Sequence, residues 1–534
     1  MRFVSEPSVE TKIHRMRERV CWQHPEILAR GIDQTRLAID DRGSAETEFT
    51  FSAIGDSGSG HKRRHNPQRR VAEQLARKSS SSRFVLHTGD VIYLVGSSEQ
   101  YLENFIKPYQ FLLAGDRTPE QIPYDSMVFG RPFLPVLGNH DYYDLPFLYG
   151  AIAQATWPLR WLLRFPKLDV GWHGSRQGDA YARAFLDYLK SCGSPAQLSK
   201  HLDRHYTAKT FGQRCLRYQP GEFTRIPNRY YSFHYGGIDF IALDSSTFNN
   251  PPSLPNSPEG DSQRRDLERQ RQIIQHQQQK LFEAITQLDR TLPEDNGDID
   301  DMDDIYTQLE QLEEQELDIE KQLSRTSSAT VDIDQLEWLE QTLIQSWQQP
   351  GSRSRVLFFH HPPYVTEATK WHQAQTTVVR QRLRTVLDAV ARATAAIRRE
   401  RPVIDLVLNG HAHCFEYLRT SDTGHADSHI PWVVCGGSGF SLRRQRHEGS
   451  VLTEPDLKGN NREIARSYQF LGRSGRGSDK RKAYSFLNIA VKSGEPPSFE
   501  IRPQVVERYH HQWHHYELDP IDTKQHTSPS QIAE

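Results

Sequence analysis

The sequence predicts an α/β fold, on two observations. From Glu48 onward, short β-branched and aromatic runs alternate with helical or polar stretches, and each run stops at a glycine or polar cluster. Five of these runs also deliver a metal-competent side chain at their carboxyl ends, where α/β folds collect ligands. The length of 534 residues allows a large core in one elaborated domain or several.

The runs in order are FTFSAIG ending at Asp56, RFVLHTG at Asp90, FLPVLG at Asn139, RVLFF at His360, and VIDLVLNG just before His411. YYSFHY and IDFIALDS predict a hairpin around Gly236 and Gly237, and PWVVCGG and YSFLNIAV predict later strands. Three segments interrupt the pattern. Residues 142–229, which include WPLRWLLRF, predict a helical or irregular cap near the site. Residues 251–330 carry apolar residues at helical spacing, Leu281, Ile285 and Leu288, then Ile305, Leu309 and Leu312, which predicts a protruding antiparallel helical hairpin. Its acidic turn, PEDNGDIDDMDD, lacks the alternating oxygen ligands and closing glutamate of a calcium loop. Residues 443–482 read as a polar, disordered loop.

A formal charge of −2 gives no global field to recruit nucleic acid or an anionic membrane. The five scattered cysteines read as thiols. No secretory h-region and no window near ~20 apolar residues is present, so the expected location is the cytoplasm.

The chemistry lies at the strand ends: Asp56 in GDSG, Asp90 and Tyr93 in GDVIY, Asn139, His140 and Asp141 in GNHD, His360 in HHPP, and His411 and His413 in GHAH. Carboxylates, a phenol, an amide oxygen and imidazoles suit iron, zinc or manganese better than calcium, and they exceed what one ion needs. A carboxylate can bridge two cations about 3.5–4 Å apart, and Asp90 is the candidate bridge. His411 and His413 fall on one side of an extended segment, so each can serve a different ion.

The ordered series GDSG, GDVIY, GNHD, HHPP and GHAH resembles the calcineurin-like metallophosphoesterase superfamily, and within it the purple acid phosphatase branch. Most of that superfamily carries a metal-binding histidine where this chain has Gly58. The purple acid phosphatase pattern instead places a tyrosine three residues after the second aspartate, and Tyr93 stands there. FIALDS, DQLEWLEQTL and CGGSG extend the similarity as a register.

The resemblance implies a four-layer α/β/β/α sandwich with helical insertions, spanning residues 47–505 between an extension at 1–46 and a tail at 506–534. It assigns Asp56, Asp90, Tyr93 and His413 to one metal, usually Fe(III), and Asp90, Asn139, His360 and His411 to a second, Fe(II), Zn or Mn. The implied activity is hydrolysis of phosphomonoesters, on a small molecule or a protein, by direct attack of a metal-held hydroxide. A phosphodiesterase or nucleotide hydrolase with the same metals is the alternative. An idle scaffold working through a partner surface on the hairpin at 262–325 is the third reading.

His140 is the expected proton donor to the leaving group, with Asp141 orienting its ring, and Asn139, His140 and His361 are the expected substrate contacts. His87 reads as a strand residue, Glu416 as an arginine's ion-pair partner, Cys414 as an unreactive thiol, and the HHQWHH tract as surface.

Overall fold

The structure is a computed structural model. It describes residues 4–41, 43–58, 66–78, 80–145, 176–291, 296–323, 330–455, 459–476, 479–510 and 512–524, with the backbone alone for 286–291, 296–304 and 306.

Two sheets form the centre. The strands before the helical insertion are β1 (Ile32–Ile39), β2 (Phe49–Ile54), β3 (Ser82–His87), β4 (Phe133–Pro135), β5 (Ala208–Thr210), β6 (Gln213–Tyr218), β7 (Tyr231–Tyr235) and β8 (Ile238–Ala242). After it come β9 (Ser354–Phe359), β10 (Leu406–Asn409), β11 (Phe415–Thr420), β12 (Pro431–Cys435), β13 (Val451–Pro455) and β14 (Asn461–Leu471). The chain finishes with β15 (Arg473–Ser474), β16 (Arg481–Val491), β17 (Phe499–Tyr509), β18 (Gln512–Glu517) and β19 (Ile521–Asp522). The eleven-stranded sheet runs β13-β14-β11-β12-β10-β9-β8-β7-β1-β6-β5, and the second runs β18-β17-β16-β2-β3-β4, with β15 and β19 paired at its side. β2, β3 and β4 are mutually parallel, as are β8, β9 and β10, so their carboxyl ends point the same way within each sheet.

Period-2 alternation builds the layers. Phe240, Val356, Phe358, Leu406 and Leu408 face the second sheet, and Ile241, Leu357, Phe359 and Val407 face away from it. Between the sheets, Phe240 meets Phe51 at 5.4 Å, Phe84 at 5.2 Å and Phe233 at 4.8 Å between ring centres. Phe240→Ala is expected to lower stability by about 3–5 kcal/mol, read from a denaturant midpoint, because its ring is wholly enclosed.

On the outer face of the large sheet lie α5 (Ile333–Gln348) and α6 (Ala374–Ala393). They bury Leu339 and Leu343, then Val379, Leu383, Val386, Leu387 and Val390, at the 3–4 residue spacing of an amphipathic helix. α2 (Pro67–Lys78) covers the second sheet through Val71 and Leu75. The order is therefore α/β/β/α, as expected.

Four stretches add detail that the sequence pattern hides. β1 and α1 (Val9–Arg19), ahead of residue 47, belong to the fold: β1 pairs with β6 and β7, and Met16 joins the core. β18 and β19, beyond 505, pair with β17. In the interruption at 142–229, WPLRWLLRF lies outside the described residues, but β5 and β6 complete the edge of the large sheet. The stretch 443–482 is not a loop, since β13, β14 and β15 pair there.

The helical hairpin forms as α3 (Pro258–Thr291) and α4 (Asn296–Leu323), joined by 292–295 outside the described residues. It does not simply protrude. α4 is tied down toward its carboxyl end: Lys321 Nζ lies 2.7 Å from Glu6, and Asp318 accepts the first N–H groups of α6, from Ala374 at 3.0 Å and Gln375 at 3.2 Å. A carboxylate is favoured at that site by the positive end of the helix dipole. Among the described residues, no helix is long and apolar enough to cross a membrane.

Candidate metal centre

The strand-end side chains converge at the carboxyl ends of β2, β3, β4, β9 and β10. Asp56, Asp90 and His411 take φ values of 52°, 54° and 65°, a left-handed conformation costing roughly 1–2 kcal/mol for a residue with a Cβ. That turn aims each side chain toward one buried cluster. Close backbone approach does the rest. A Cβ on Gly138 would stand 2.0 Å from Asp90 Oδ1, and one on Gly58 would stand 2.4 Å from the Val91 carbonyl oxygen. The loop that carries Tyr93 thus fills the space a side chain at position 58 would need.

Tyr93 is the hub of the first donor group. Its hydroxyl lies 2.6 Å from Asp90 Oδ2, 2.9 Å from Asp56 Oδ1 and 3.2 Å from His413 Nε2, and its ring stacks on Phe440 at 3.7 Å. The second group centres on His360, whose Nε2 lies 2.9 Å from Asn139 Oδ1 and 3.3 Å from Asp90 Oδ2. Asp90 touches both. The rings are oriented from behind: His360 Nδ1–H donates to the Thr88 carbonyl at 2.9 Å and His413 Nδ1–H to the Ser441 carbonyl at 2.9 Å, which turns both Nε2 atoms toward the cluster. His411 Nε2 accepts from Gln375 at 3.1 Å, and its backbone N–H donates to Asp56 Oδ2 at 2.9 Å.

The donor set fits a cation. One phenolic hydrogen cannot serve Asp56, Asp90 and His413 together, so acceptors outnumber donors around Tyr93 in a buried space. Donor atoms of Asp56, Asp90 and His360 lie within 4.8 Å of one another, as do those of His360, His361 and His411.

The electrostatics agree. Burial, then the two carboxylate charges, push the Tyr93 phenol well above its ordinary range. Burial alone would raise Asp90, but the positive charge of His360 and then His140 outweighs it and holds Asp90 below the usual range. Burial works to lower His360, yet Asp90 lifts it to about 9, so the place beside Asp90 is one where positive charge is favoured. His411 and His413 are pushed well below the ordinary range, first by burial, then by Lys370 and Arg443 respectively. They are neutral imidazoles, the form that ligates metal.

His140 lies at the edge of this cluster. Its Nδ1–H donates to the Leu94 carbonyl at 2.6 Å, and its ring packs 4.2 Å from Tyr93 and 4.8 Å from Tyr143. Asp141 does not orient it. The Asp141 carboxylate instead accepts the N–H groups of Gly138 at 2.9 Å, Asp90 at 3.0 Å and Val91 at 3.1 Å, tying the loop after β3 to the loop after β4. The short helical turn at Asn139–Tyr142 swings side chain 141 away from ring 140.

His361 is held at both nitrogens, by Ser245 Oγ at 2.8 Å and Asn249 Nδ2 at 3.1 Å, which makes it a wall beside His411. Glu416 has no arginine partner among its described contacts; Thr366 N–H and hydroxyl hold it, and burial pushes its pKa up to about 7. His87 is a buried β3 residue bonded to Ser57, and Cys414 is a buried thiol. His511 of the HHQWHH tract lies outside the described residues.

Sequence reading missed Gln375, Ser245, Asn249, Lys370, Arg443 and Glu314. Only Ser245 carried a signal, as the end of FIALDS.

The chain has similarities to two solved structures, each over 89% of its length. One is the purple acid phosphatase PPD1 from yellow lupin (Lupinus luteus) seeds, at 12% identity and TM-score 0.41, and this chain spans 54% of it. The other is GAP50, the anchor in the inner membrane complex of Plasmodium, at 11% identity and TM-score 0.36, of which 90% is covered. No protein-family model and no curated protein matches the sequence.

Proposed function

We propose that the chain is a dinuclear-metal phosphoester hydrolase acting on phosphomonoesters. One observation carries the reading: the enclosed Asp90 carboxylate stands between two donor groups, 2.6 Å from the Tyr93 hydroxyl and 3.3 Å from His360 Nε2. Asp56, Asp90, Tyr93 and His413 would hold one ion, and Asp90, Asn139, His360 and His411 the other. Such ions supply Lewis-acid charge neutralisation and activation of water.

The chain's own groups do the remaining work. Asp56 and Asp90 fix the positive charge in a space closed to bulk water, where it acts at low dielectric. The Leu94 carbonyl holds His140 by Nδ1, so Nε2 is the nitrogen left to carry a proton to the departing alkoxide. Asp141 keeps Asn139 and Asp90 in register by gripping the backbone of both loops. The phenol of Tyr93, paired with His413 and two carboxylates, suits the harder and more highly charged ion, Fe(III).

Elemental analysis and a visible spectrum of the purified full-length chain, with turnover on p-nitrophenyl phosphate and its bis ester, test this reading. The expected result is two metal equivalents, faster turnover of the monoester, and a charge-transfer band that Tyr93→Phe abolishes. An active but colourless Zn or Mn protein would remove the ferric assignment and keep the hydrolase. Faster turnover of the bis ester would replace the monoesterase with the diesterase. A metal-replete chain without turnover on either would remove both.

A further inference from the structure

His360 and His413 are oriented by backbone carbonyls through Nδ1, whereas His411 is held by a side chain, Gln375, through Nε2 at 3.1 Å. Gln375 stands in the first turn of α6 and is itself gripped on three sides. Its Nε2 donates to Gln373 Oε1 at 2.6 Å, its Oε1 accepts from Asn249 Nδ2 at 3.3 Å, and its backbone N–H donates to Asp318 Oδ1 at 3.2 Å. Asn249 Nδ2 also lies 3.1 Å from His361 Nε2, so a buried chain of amides joins the two imidazoles.

A primary amide presents an oxygen and a nitrogen of nearly equal size, so this chain can run in either direction at the same distances. In one direction Gln375 Nε2 donates to His411 Nε2. In the other, His411 Nε2–H donates to Gln375 Oε1, Gln373 Nε2 donates to the same oxygen, and Gln375 Nε2 donates to Asn249 Oδ1. Gln373 Nε2 and Asn249 Oδ1, which make no hydrogen bond in the first direction, gain partners in the second, while Gln373 Oε1 and Asn249 Nδ2 give theirs up. The exchange is even, and His411 decides it. A neutral imidazole carries one ring hydrogen; placing it on Nε2 leaves the Nδ1 lone pair for a cation.

The inserted hairpin supports this arrangement. Asp318 of α4, enclosed and bonded by Gln322 Nε2 at 3.1 Å, accepts the N–H groups of both Ala374 and Gln375. One turn earlier, Glu314 pairs with the buried Lys370, four residues ahead of α6. α4 therefore fixes the turn from which Gln375 reaches His411.

We propose that Gln375 is a positioning residue for the second metal, accepting the His411 Nε2–H, and that Asp318 makes the inserted helix α4 part of that support. The proposal rests on the reading of His411 as a metal ligand and on nothing about the reaction.

Calorimetric titration of the chelator-stripped full-length chain with Zn²⁺ tests it. The parent is expected to take two equivalents, one of which His411→Ala abolishes. Gln375→Leu should weaken that same equivalent by about 10–100-fold and leave the other within about threefold. Gln375→Glu, which accepts from Nε2–H and cannot donate, should bind as tightly as the parent or more so. Gln375→Asn, one methylene too short, should lose affinity as leucine does, so the result does not depend on one variant folding. Asp318→Ala should cost the same equivalent roughly three- to tenfold and add little to Gln375→Leu, because both act through one bond. Unchanged affinity in Gln375→Leu, or a Gln375→Glu chain as weak as leucine, would overturn the positioning role and leave the metal centre standing. Fully additive losses would remove the part given to α4. A parent chain that takes up no Zn²⁺ would remove the metal reading and this role with it.

Discussion

Asp90→Asn is expected to leave a folded chain that has lost at least one of its two metal equivalents and on the order of 10³-fold or more in kcat/KM. Asparagine isolates the charge. It keeps the size of the side chain, it can still accept the His140 N–H that now donates to Asp90 Oδ1 at 2.9 Å, and it tolerates the positive φ of 54° at this position. What it removes is the second anionic oxygen facing Tyr93 and His360. Alanine at 90 would also leave a void against Gly138 and the loop after β4, mixing a folding effect into the result. Metal content by mass spectrometry, read beside turnover, gives the answer; two ions retained with activity within tenfold of the parent would mean that Asp90 does not join the two donor groups.

His140→Ala should behave differently, keeping both ions while kcat on an alkyl phosphate falls by about 10²–10⁴-fold. The ring makes its hydrogen bond to the Leu94 carbonyl and packs on Tyr93 and Tyr143, outside the set proposed to hold metal. Its loss therefore removes a proton donor rather than a ligand. The effect should shrink on p-nitrophenyl phosphate, because that leaving group departs without needing a proton. An equal loss on both substrates would make His140 a substrate-positioning group.

The part of the site that was legible in sequence is the part built locally. Each strand stops at a short motif, and the physical requirement at the stop is narrow: a residue forced into a left-handed turn, a neighbour without a Cβ, and a polar atom turned inward. Asp56, Asp90 and His411 meet it, and Gly58 shows the same constraint from the opposing side. The α/β class followed from period-2 strands and 3.6-period helices, and the layer order from the family resemblance.

What could not be read depends on distant contacts. Asp141 was assigned to the ring next to it in the chain, but a single helical turn sends it to the Asp90 loop instead. Glu314 and Asp318 lie in a Gln/Glu-rich helix whose charges look like any solvated face; only the docking of α4 against Lys370, Arg443 and the start of α6 gives them partners. The strands between 443 and 482 scatter Glu454, Arg462, Glu463, Arg466 and Arg473 among their apolar residues, and β13 is at the edge of the sheet, so no regular apolar alternation announced them. In β1, the register against β6 shifts between Ile32 and Leu37, which blurs the alternation that marks a strand.

Anomalous diffraction from crystals of the metal-loaded chain tests the dinuclear centre most directly. Two peaks about 3.5–4 Å apart, with the Asp90 carboxylate between them, are predicted. A single peak, or peaks away from Asp56, Asp90, His360 and His413, would contradict it.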